Sequence, residues 1–187
     1  MFSSQIHFES TPQLPALGFA PEISNWYAIQ TMPRHEKRIA EQLQEKSVFT
    51  FLPLLRQTRQ WSDRWSKVEV PMFSCYAFVR IVRTNENRLR VLRIPGVLGF
   101  VGNERQGTPI PDEQIESLRK AISENVLCLP HPFVSAGSRV RIRGGSLDGV
   151  EGILMRQGGD QSLVVSVELL RRSISIRVEG YDIELVQ

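Results

Sequence analysis

The chain has 187 residues, of which 41% are hydrophobic and 23% charged, and its formal net charge is +3. This length and balance suit one medium globular domain or two small ones, and no apolar run approaches the roughly 20 residues of a transmembrane helix. Two cysteines, Cys75 and Cys128, are too few for a disulfide framework or a cysteine zinc site, and the three histidines lie far apart. With no secretory signal in view, we expect a cytoplasmic protein that holds no metal or cofactor and contacts no membrane.

Positive charge is concentrated in one part of the chain. Residues 56–93 hold nine basic and three acidic residues, whereas residues 1–25 carry only two acidic charges and residues 126–187 are neutral. All but one of the nine basic residues are arginine. Such an excess is typical of proteins that bind a polyanion, most commonly nucleic acid, and the alternative is a solvated basic surface without a ligand.

Hydrophobic periodicity predicts an α+β unit in the first two thirds of the chain. Residues 1–25 contain three prolines and no periodicity, so we predict a mobile tail. Pro33 suits a first helical position, and Ile39, Ala40 and Leu43 then recur at helical spacing. In chain order we predict a strand at 26–30, a helix at 34–46, a strand at 48–52, a hairpin over 54–71 with its turn at 62–64, a strand at 76–82, a helix capped by Thr84, a strand at 97–101 and a helix over 111–123. This order describes helices packed on a sheet.

The last third of the chain has a different character. Residues 124–133 include two prolines and are predicted to form a linker. Five short alternating segments follow, separated by glycine-containing turns, at 139–143, 150–155, 163–168, 173–178 and 182–186. Five short strands in so few residues predict a small all-β barrel.

The stretch from Ala136 to Leu154 carries the most specific signal. It predicts a strand, a tight glycine-rich loop and a returning strand, in which Gly149 and Gly152 allow positive φ values and close backbone approach. This stretch resembles the KOW motif. Such a motif specifies an SH3-like barrel more than it specifies a chemistry.

The segments before the barrel narrow the family. Trp26-Tyr27 opens the first strand, a basic helix follows, and then come Pro71–Val79, Ile94–Gly102 and Pro109–Pro111. In this order, and followed by a KOW barrel, residues 26–187 resemble the NusG family of transcription elongation and antitermination factors. The resemblance implies an α+β NGN domain at 26–123, with an antiparallel sheet flanked by helices. It also implies a linker at 124–133 and an SH3-like KOW domain at 134–187, in a protein that acts as a monomer.

The resemblance implies a polymerase-binding surface on the NGN domain. In this family an apolar pocket grips the clamp helices of the largest catalytic subunit of RNA polymerase, and Phe73, Tyr76 and Phe78 match its lining residues. Aromatic side chains suit this role because they bury large rigid areas at small entropic cost. The alternative for Phe73 and Phe78 is sheet core, because one face of a central strand must be core.

Departures from the housekeeping pattern indicate a specialised paralogue of the RfaH/UpxY type. Ser74-Cys75 stands where NusG itself usually has Pro-Gly, and the chain also has a tail and an Arg- and Trp-rich hairpin. In RfaH-like proteins the basic first helix reads a hairpin in the exposed non-template DNA strand. Arg38 matches a basic position of that helix. The predicted nucleic-acid-binding surface also includes residues along the same polar side whose identities differ from RfaH, namely Arg34, His35, Gln42 and Lys46. Trp61 or Trp65 either stacks on a base or packs across the hairpin.

The barrel carries a second predicted partner site. Residues 165–172 resemble the strand and turn through which NusG binds a small-subunit ribosomal protein or the termination factor Rho, with Leu169, Leu170 and Arg172 on the contact positions. Adjacent leucines on a strand cannot both face the core, so one is expected to be exposed unless a β-bulge turns both inward. Arg171 replaces the family's usual glycine, which leaves Rho binding open. The β-branched alternation predicts a permanent barrel rather than the helical hairpin that RfaH can form.

Enzymatic patterns are missing from the sequence. It has no Walker-type phosphate loop, no metal-ligating histidine pair and no Cys–His nucleophile pair. Together with this absence, the NusG resemblance implies a non-enzymatic factor that binds RNA polymerase across its clamp, suppresses pausing or termination, and recruits a partner through its KOW domain. The alternatives are the general housekeeping NusG and a ribosome-associated KOW-type RNA-binding protein.

Overall fold

The computed structural model describes residues 23–60, 65–103, 106–124, 128–131, 133–134, 137–157, 160–178 and 180–186. Most of the predicted tail and the predicted hairpin turn at 62–64 lie outside these ranges. The first strand begins at Ser24, two residues inside the predicted tail. Within the described part of the chain, no helix has the length and apolar character needed to cross a bilayer.

The elements follow the predicted order. The helices are α1 (Glu36–Glu45), α2 (Asn85–Leu92) and α3 (Asp112–Ser123). The strands are β1 (Ser24–Thr31), β2 (Phe49–Phe51), β3 (Leu54–Gln60), β4 (Trp65–Pro71), β5 (Tyr76–Val82), β6 (Val97–Phe100), β7 (Pro109–Ile110), β8 (Cys128–His131), β9 (Ser138–Arg143), β10 (Glu151–Gln157), β11 (Asp160–Val167), β12 (Arg172–Arg177) and β13 (Asp182–Leu185). Each predicted helix and strand is present, and β7 and β8 are additional. The predicted fold class, an α+β unit followed by a β-rich unit, is confirmed.

Local signals explain where two of the helices begin. The Thr84 hydroxyl accepts the Asn87 N–H at 3.1 Å and caps α2, as predicted. For α1 the prediction is wrong at its start, because Arg34 has a left-handed backbone with φ of 65° and the helix begins only at Glu36. Pro33 therefore lies in the preceding turn rather than at the first helical position.

The first unit is built on one antiparallel sheet with the strand order β2-β5-β1-β6, and β7 also pairs with β1. Alternate side chains of β5 face opposite sides, so Ala77 and Val79 pack with α1 and α2, whereas Phe78 packs on the side of α3. Strands β3 and β4 form a separate two-stranded ribbon, in which Arg56 Nε donates to Glu69 Oε1 at 3.3 Å. The sheet is thus a central layer with helices on both faces.

The second unit is a six-stranded antiparallel sheet with the order β13-β9-β10-β11-β12-β8. It contains the five predicted strands, and its core includes Val140, Leu163 and Ile174. The sixth strand, β8, corrects the predicted linker, because Cys128–His131 pairs with β12. Pro130 is compatible with β8 because β8 is an edge strand, which pairs on one side only, and edge strands are where sheets accommodate proline.

The two glycines of the KOW-like stretch have separate roles. Gly149 has a φ of +84°, which a residue with a Cβ adopts only with strain. Gly152 has no such φ, but a Cβ on it would lie 2.5 Å from the carbonyl oxygen of Val164 on the neighbouring strand. The predicted need for positive φ thus applies to the first glycine and close backbone approach to the second.

Helix α3 contacts both units. Along one side of it, Gln114 Oε1 accepts the Glu168 N–H and Ser117 Oγ accepts the Glu151 N–H, each at 3.2 Å. One turn further on, the Lys120 ammonium contacts the carbonyl of Asp148. A cavity of ≈ 410 Å³ lies in the same seam. The second unit is therefore docked on α3, because three side chains of α3 contact backbone groups of the second unit.

Candidate functional site

Aromatic side chains form a surface on the side of the first sheet that α3 covers only in part. Trp26 and Phe78 are fully buried at its base. Phe51 stacks on Phe78 with ring centroids 6.0 Å apart, and Phe49 contacts Trp26 at 5.5 Å. Phe49 nevertheless keeps 55% of its area exposed, and Phe51 and Tyr76 are half-buried. We name the surface made by Phe49, Phe51 and Tyr76 the aromatic face.

The strand register explains why these rings meet. Phe51 of β2 lies opposite Phe78 of β5, and Phe49 lies opposite Arg80. Trp26 of β1 pairs with the same Arg80 from the other side. Residues directly opposite one another in a sheet point to the same face, so three neighbouring strands contribute rings to one surface.

A guanidinium group borders the aromatic face. Arg119 of α3 places Cζ 5.9 Å from the ring centroid of Phe49 and 6.0 Å from that of Phe51, within the range of cation–π contacts. Its Nη1 donates to Glu116 Oε1 at 3.1 Å, one helical turn away. The face therefore combines accessible apolar area with a positive charge at its α3 border.

The predicted polymerase-binding residues divide into two groups. Phe73 and Phe78 are 4% and 0% exposed and contact each other edge-on at 6.2 Å. They belong to the core beneath the aromatic face, which agrees with the core alternative. Tyr76 is the predicted residue that the structure leaves accessible.

Two residues of this face are not among the predicted site residues. The sequence predicts Phe49 and Phe51 only as members of a strand. Their spacing on either side of Thr50 shows that both rings lie on one side of that strand. The sequence holds no comparable signal for the strand that β2 pairs with, so it did not join these rings to Phe78.

The predicted nucleic-acid-binding residues lie on α1 and at its two ends. Arg34 and His35 precede the helix, and Lys46 caps its C-terminus. Arg38, Gln42 and Lys46 are spaced by four residues, which places them along one side of the helix. Each of the five is exposed except Gln42, which is half-buried. The structure therefore groups the predicted set around α1.

A local hydrogen bond orients the imidazole in this set. His35 Nδ1 donates to the carbonyl of Pro33 at 2.9 Å. Because a carbonyl only accepts, Nδ1 carries a proton, and in the neutral ring Nε2 is then an acceptor. His35 thus offers an acceptor at Nε2, whereas the neighbouring arginines offer donors only.

The roles of the two tryptophans of the predicted hairpin stay predictions. Trp61 lies outside the described residues, and so does the side chain of Trp65. Stacking on a base and packing across the ribbon both stay predictions.

The predicted partner site of the second unit has a different local structure from the one expected. Residues Glu168–Leu170 form a single turn of 3₁₀-helix, so the expectation that adjacent residues of a strand face opposite sides does not apply to Leu169 and Leu170. Leu170 is 8% exposed, Leu169 is half-buried and Arg172 is exposed at the start of β12. Arg171 takes the left-handed conformation, with φ of 51°, that closes this turn.

The same turn lies against α3. The Glu168 N–H donates to Gln114 Oε1, and Leu169 packs against an apolar cluster that contains residues of both units. Arg171 lies over the ring of Phe133 at 4.8 Å. A partner that used this turn would therefore have to fit beside α3 or displace it.

No cluster of three or more His, Cys, Asp or Glu side chains in the described part of the chain is arranged to hold a metal ion. Burial raises the pKa of the Cys128 thiol, which lowers its thiolate fraction at neutral pH. Cys75 is half-buried in the turn that precedes Tyr76.

Comparison with known proteins gives a consistent result. Residues 24–119 match the family model described as NusG, transcription termination factor nusG. The transcription termination/antitermination protein NusG of Lactococcus lactis subsp. lactis is 26% identical over 174 residues, which cover 87% of this chain and 93% of that protein. The protein of the same name from Staphylococcus carnosus is 26% identical over 174 residues, covering 85% and 94%. A solved structure titled "Domain interaction in Thermotoga maritima NusG" has a TM-score of 0.52 at 20% identity and covers 88% of this chain and 98% of that one.

Proposed function

The chain belongs to the NusG family of transcription factors, and from that premise we propose that it binds RNA polymerase through the aromatic face and suppresses pausing or termination. The contact is with the clamp helices of the largest catalytic subunit. The factor works in the cytoplasm by binding rather than by covalent chemistry. It stabilises the processive conformation of polymerase because it binds that conformation more tightly than the paused one.

The observation that carries this proposal is the exposure of large rings over a buried aromatic base. Phe49 is 55% exposed although it packs on Trp26, and Tyr76, two residues before Phe78 on the same side of β5, is half-buried. Rigid, partly supported aromatic rings are typical of binding hot spots, since they lose little entropy when a partner covers them.

Pull-down with core RNA polymerase tests the proposal directly. We expect the wild-type protein to bind and Tyr76→Ala to lose about tenfold or more in affinity, the scale of a hot-spot residue. Tyr181→Ala is the matched control, because Tyr181 is also half-buried but lies in the second unit. Absence of wild-type binding, or equal affinities for the two variants, would contradict the proposal.

We also propose that the basic side of α1 binds the non-template DNA strand. Arg34, Arg38 and Lys46 are exposed there, and His35 adds an acceptor that can contact a base. Each phosphate contact that is removed should lower the slope of log affinity against log salt concentration by about 0.7 for single-stranded DNA. Arg38→Ala should show this decrease, and Arg177→Ala on β12 should not.

The turn at 168–172 is proposed as the contact for a small-subunit ribosomal protein or for Rho. Leu169 and Arg172 supply its accessible surface. Because Gln114 of α3 bonds the same turn, capture of that partner competes with docking of the second unit. Binding assays with each purified partner, and with Arg172→Ala, distinguish the two candidates.

We further propose that the protein is a specialised paralogue. Cys75 has a φ of 68° at a position where a glycine would be unstrained, so this turn departs from the simplest solution. Chromatin immunoprecipitation of this factor, compared with that of polymerase across the genome, tests the idea. Occupancy of the factor confined to one operon supports it, and occupancy of the factor at most transcribed genes identifies a general factor.

A further inference from the structure

A buried carboxylate joins the helix that carries the basic residues to the turn that precedes Tyr76. Glu36 is the first residue of α1 and is only 4% exposed, and among the described residues it is the one buried side chain of the Asp, Glu, Lys or Arg type. Its Oε1 accepts the N–H of Cys75 at 2.8 Å, across 39 positions of sequence. Burial of a carboxylate is costly unless it is hydrogen-bonded, so a buried glutamate at this position calls for a structural explanation.

The backbone of Cys75 supplies that explanation. With φ of 68°, Cys75 has the left-handed conformation that residues bearing a Cβ avoid. Two contacts hold its peptide groups: Glu36 accepts from its N–H, and its carbonyl accepts the N–H of Thr31 on β1 at 2.9 Å. The turn is thus fixed from the helix on one side and from the sheet on the other.

The conformation of Cys75 determines how β5 begins. Tyr76 follows it directly, donates its N–H to the carbonyl of Phe73 at 3.2 Å and pairs with Gln30 of β1. A rotation at Cys75 would redirect the first residue of the strand, and with it the ring of Tyr76. Glu36 bonds the backbone of Cys75, so its influence on that ring is indirect.

We propose that Glu36 is a positioning residue: by holding Cys75 in the left-handed conformation it presents Tyr76 on the aromatic face. The inference rests on the proposed function, because the affinity it predicts is affinity for polymerase. It adds that α1 has a second role besides its basic surface, since it fixes the geometry of the polymerase contact from 39 positions away.

A double-mutant cycle tests this role. Glu36→Ala should weaken binding to core polymerase about tenfold to a hundredfold, the scale of a lost hydrogen bond to a charged group. Glu36→Gln should stay within about threefold of wild type, because the amide oxygen still accepts from the Cys75 N–H. Glycine adopts positive φ without help. The double variant Glu36→Ala/Cys75→Gly should therefore recover most of the wild-type affinity that Glu36→Ala alone has lost. Glu41→Ala, an exposed glutamate of the same helix, is the matched control and should change nothing.

A second readout separates positioning from simple loss of structure. Amide hydrogen exchange at Cys75 should accelerate in Glu36→Ala, while affinity for short single-stranded DNA stays within about twofold because the basic side of α1 is unchanged. Failure of Cys75→Gly to rescue Glu36→Ala, or equal loss of DNA and polymerase binding, would overturn the inference.

The proposed function can fail separately. If Tyr76→Ala does not weaken polymerase binding, the aromatic face is not the contact, and the exchange rate at Cys75 alone decides whether Glu36 holds the turn. If Tyr76→Ala weakens binding and Glu36→Ala does not, only the positioning role is wrong.

Discussion

Replacement of Phe49 by alanine gives the sharpest prediction, because this ring contributes much of the accessible area of the aromatic face. A phenylalanine offers about 150–250 Å² for burial, and 55% of Phe49 is exposed. A partner that covers it would therefore bury about 80–140 Å², worth about 2–3.5 kcal/mol at about 25 cal/mol per Å². Association does not convert buried area fully into affinity, so we expect Phe49→Ala to bind polymerase about 10- to 100-fold more weakly.

The measurement is an equilibrium titration of immobilised core polymerase with each variant. Leu98→Ala is the control: Leu98 is 56% exposed, but it lies on β6 at the opposite edge of the sheet. Its affinity should stay within about twofold of wild type, the range of contacts outside a hot spot. Thermal unfolding of both variants is checked first, because Phe49 also packs on Trp26.

Two results would refute the reasoning. One is a folded Phe49→Ala variant with wild-type affinity, which would mean that the partner does not cover this ring. The other is an equal loss for Leu98→Ala, which would mean that exposed apolar area in general, rather than this face, drives the association.

Three further predictions concern the second unit and the thiols. Gly152→Ala should lower the free energy of unfolding by about 1–3 kcal/mol, because its Cβ would meet a carbonyl oxygen at 2.5 Å. Gly99→Ala is the control and should not lower it, because a Cβ there has no described atom within 4 Å, and equal denaturant midpoints for the two variants would contradict the prediction. Cys75 should react with iodoacetamide faster than Cys128 at pH 8, because burial raises the pKa of the Cys128 thiol and restricts access to it; the opposite order in a peptide map would show that Cys128 is not buried. Ser117→Ala removes the acceptor for the Glu151 N–H of β10 and should increase the fraction of molecules in which the second unit is undocked from α3. NMR chemical shifts should then change more in β10 than elsewhere, and unchanged shifts in β10 would show that this bond does not hold the units together.

The sequence predicted those features that depend on neighbouring residues. The strand at 76–82 has the predicted bounds, and Thr84 caps α2 as expected. Both follow from patterns within a few positions, namely continuous apolar character and a hydroxyl at a helix start. The order of the elements, the β-rich second unit and the placement of Arg38 and Gln42 on one side of α1 are of the same kind.

Tertiary structure decided the features that depend on pairing between distant segments. The register of β2 against β5 places Phe51 on Phe78, and it turned two residues of an ordinary strand into the accessible part of the aromatic face. Pairing with β12 made a strand of Cys128–His131, although its proline favours a linker when the segment is considered alone. The bond from Glu36 to Cys75 spans 39 positions. Local periodicity constrains the conformation of each segment, but the partner of a strand or of a buried carboxylate is selected by the packing of the whole chain.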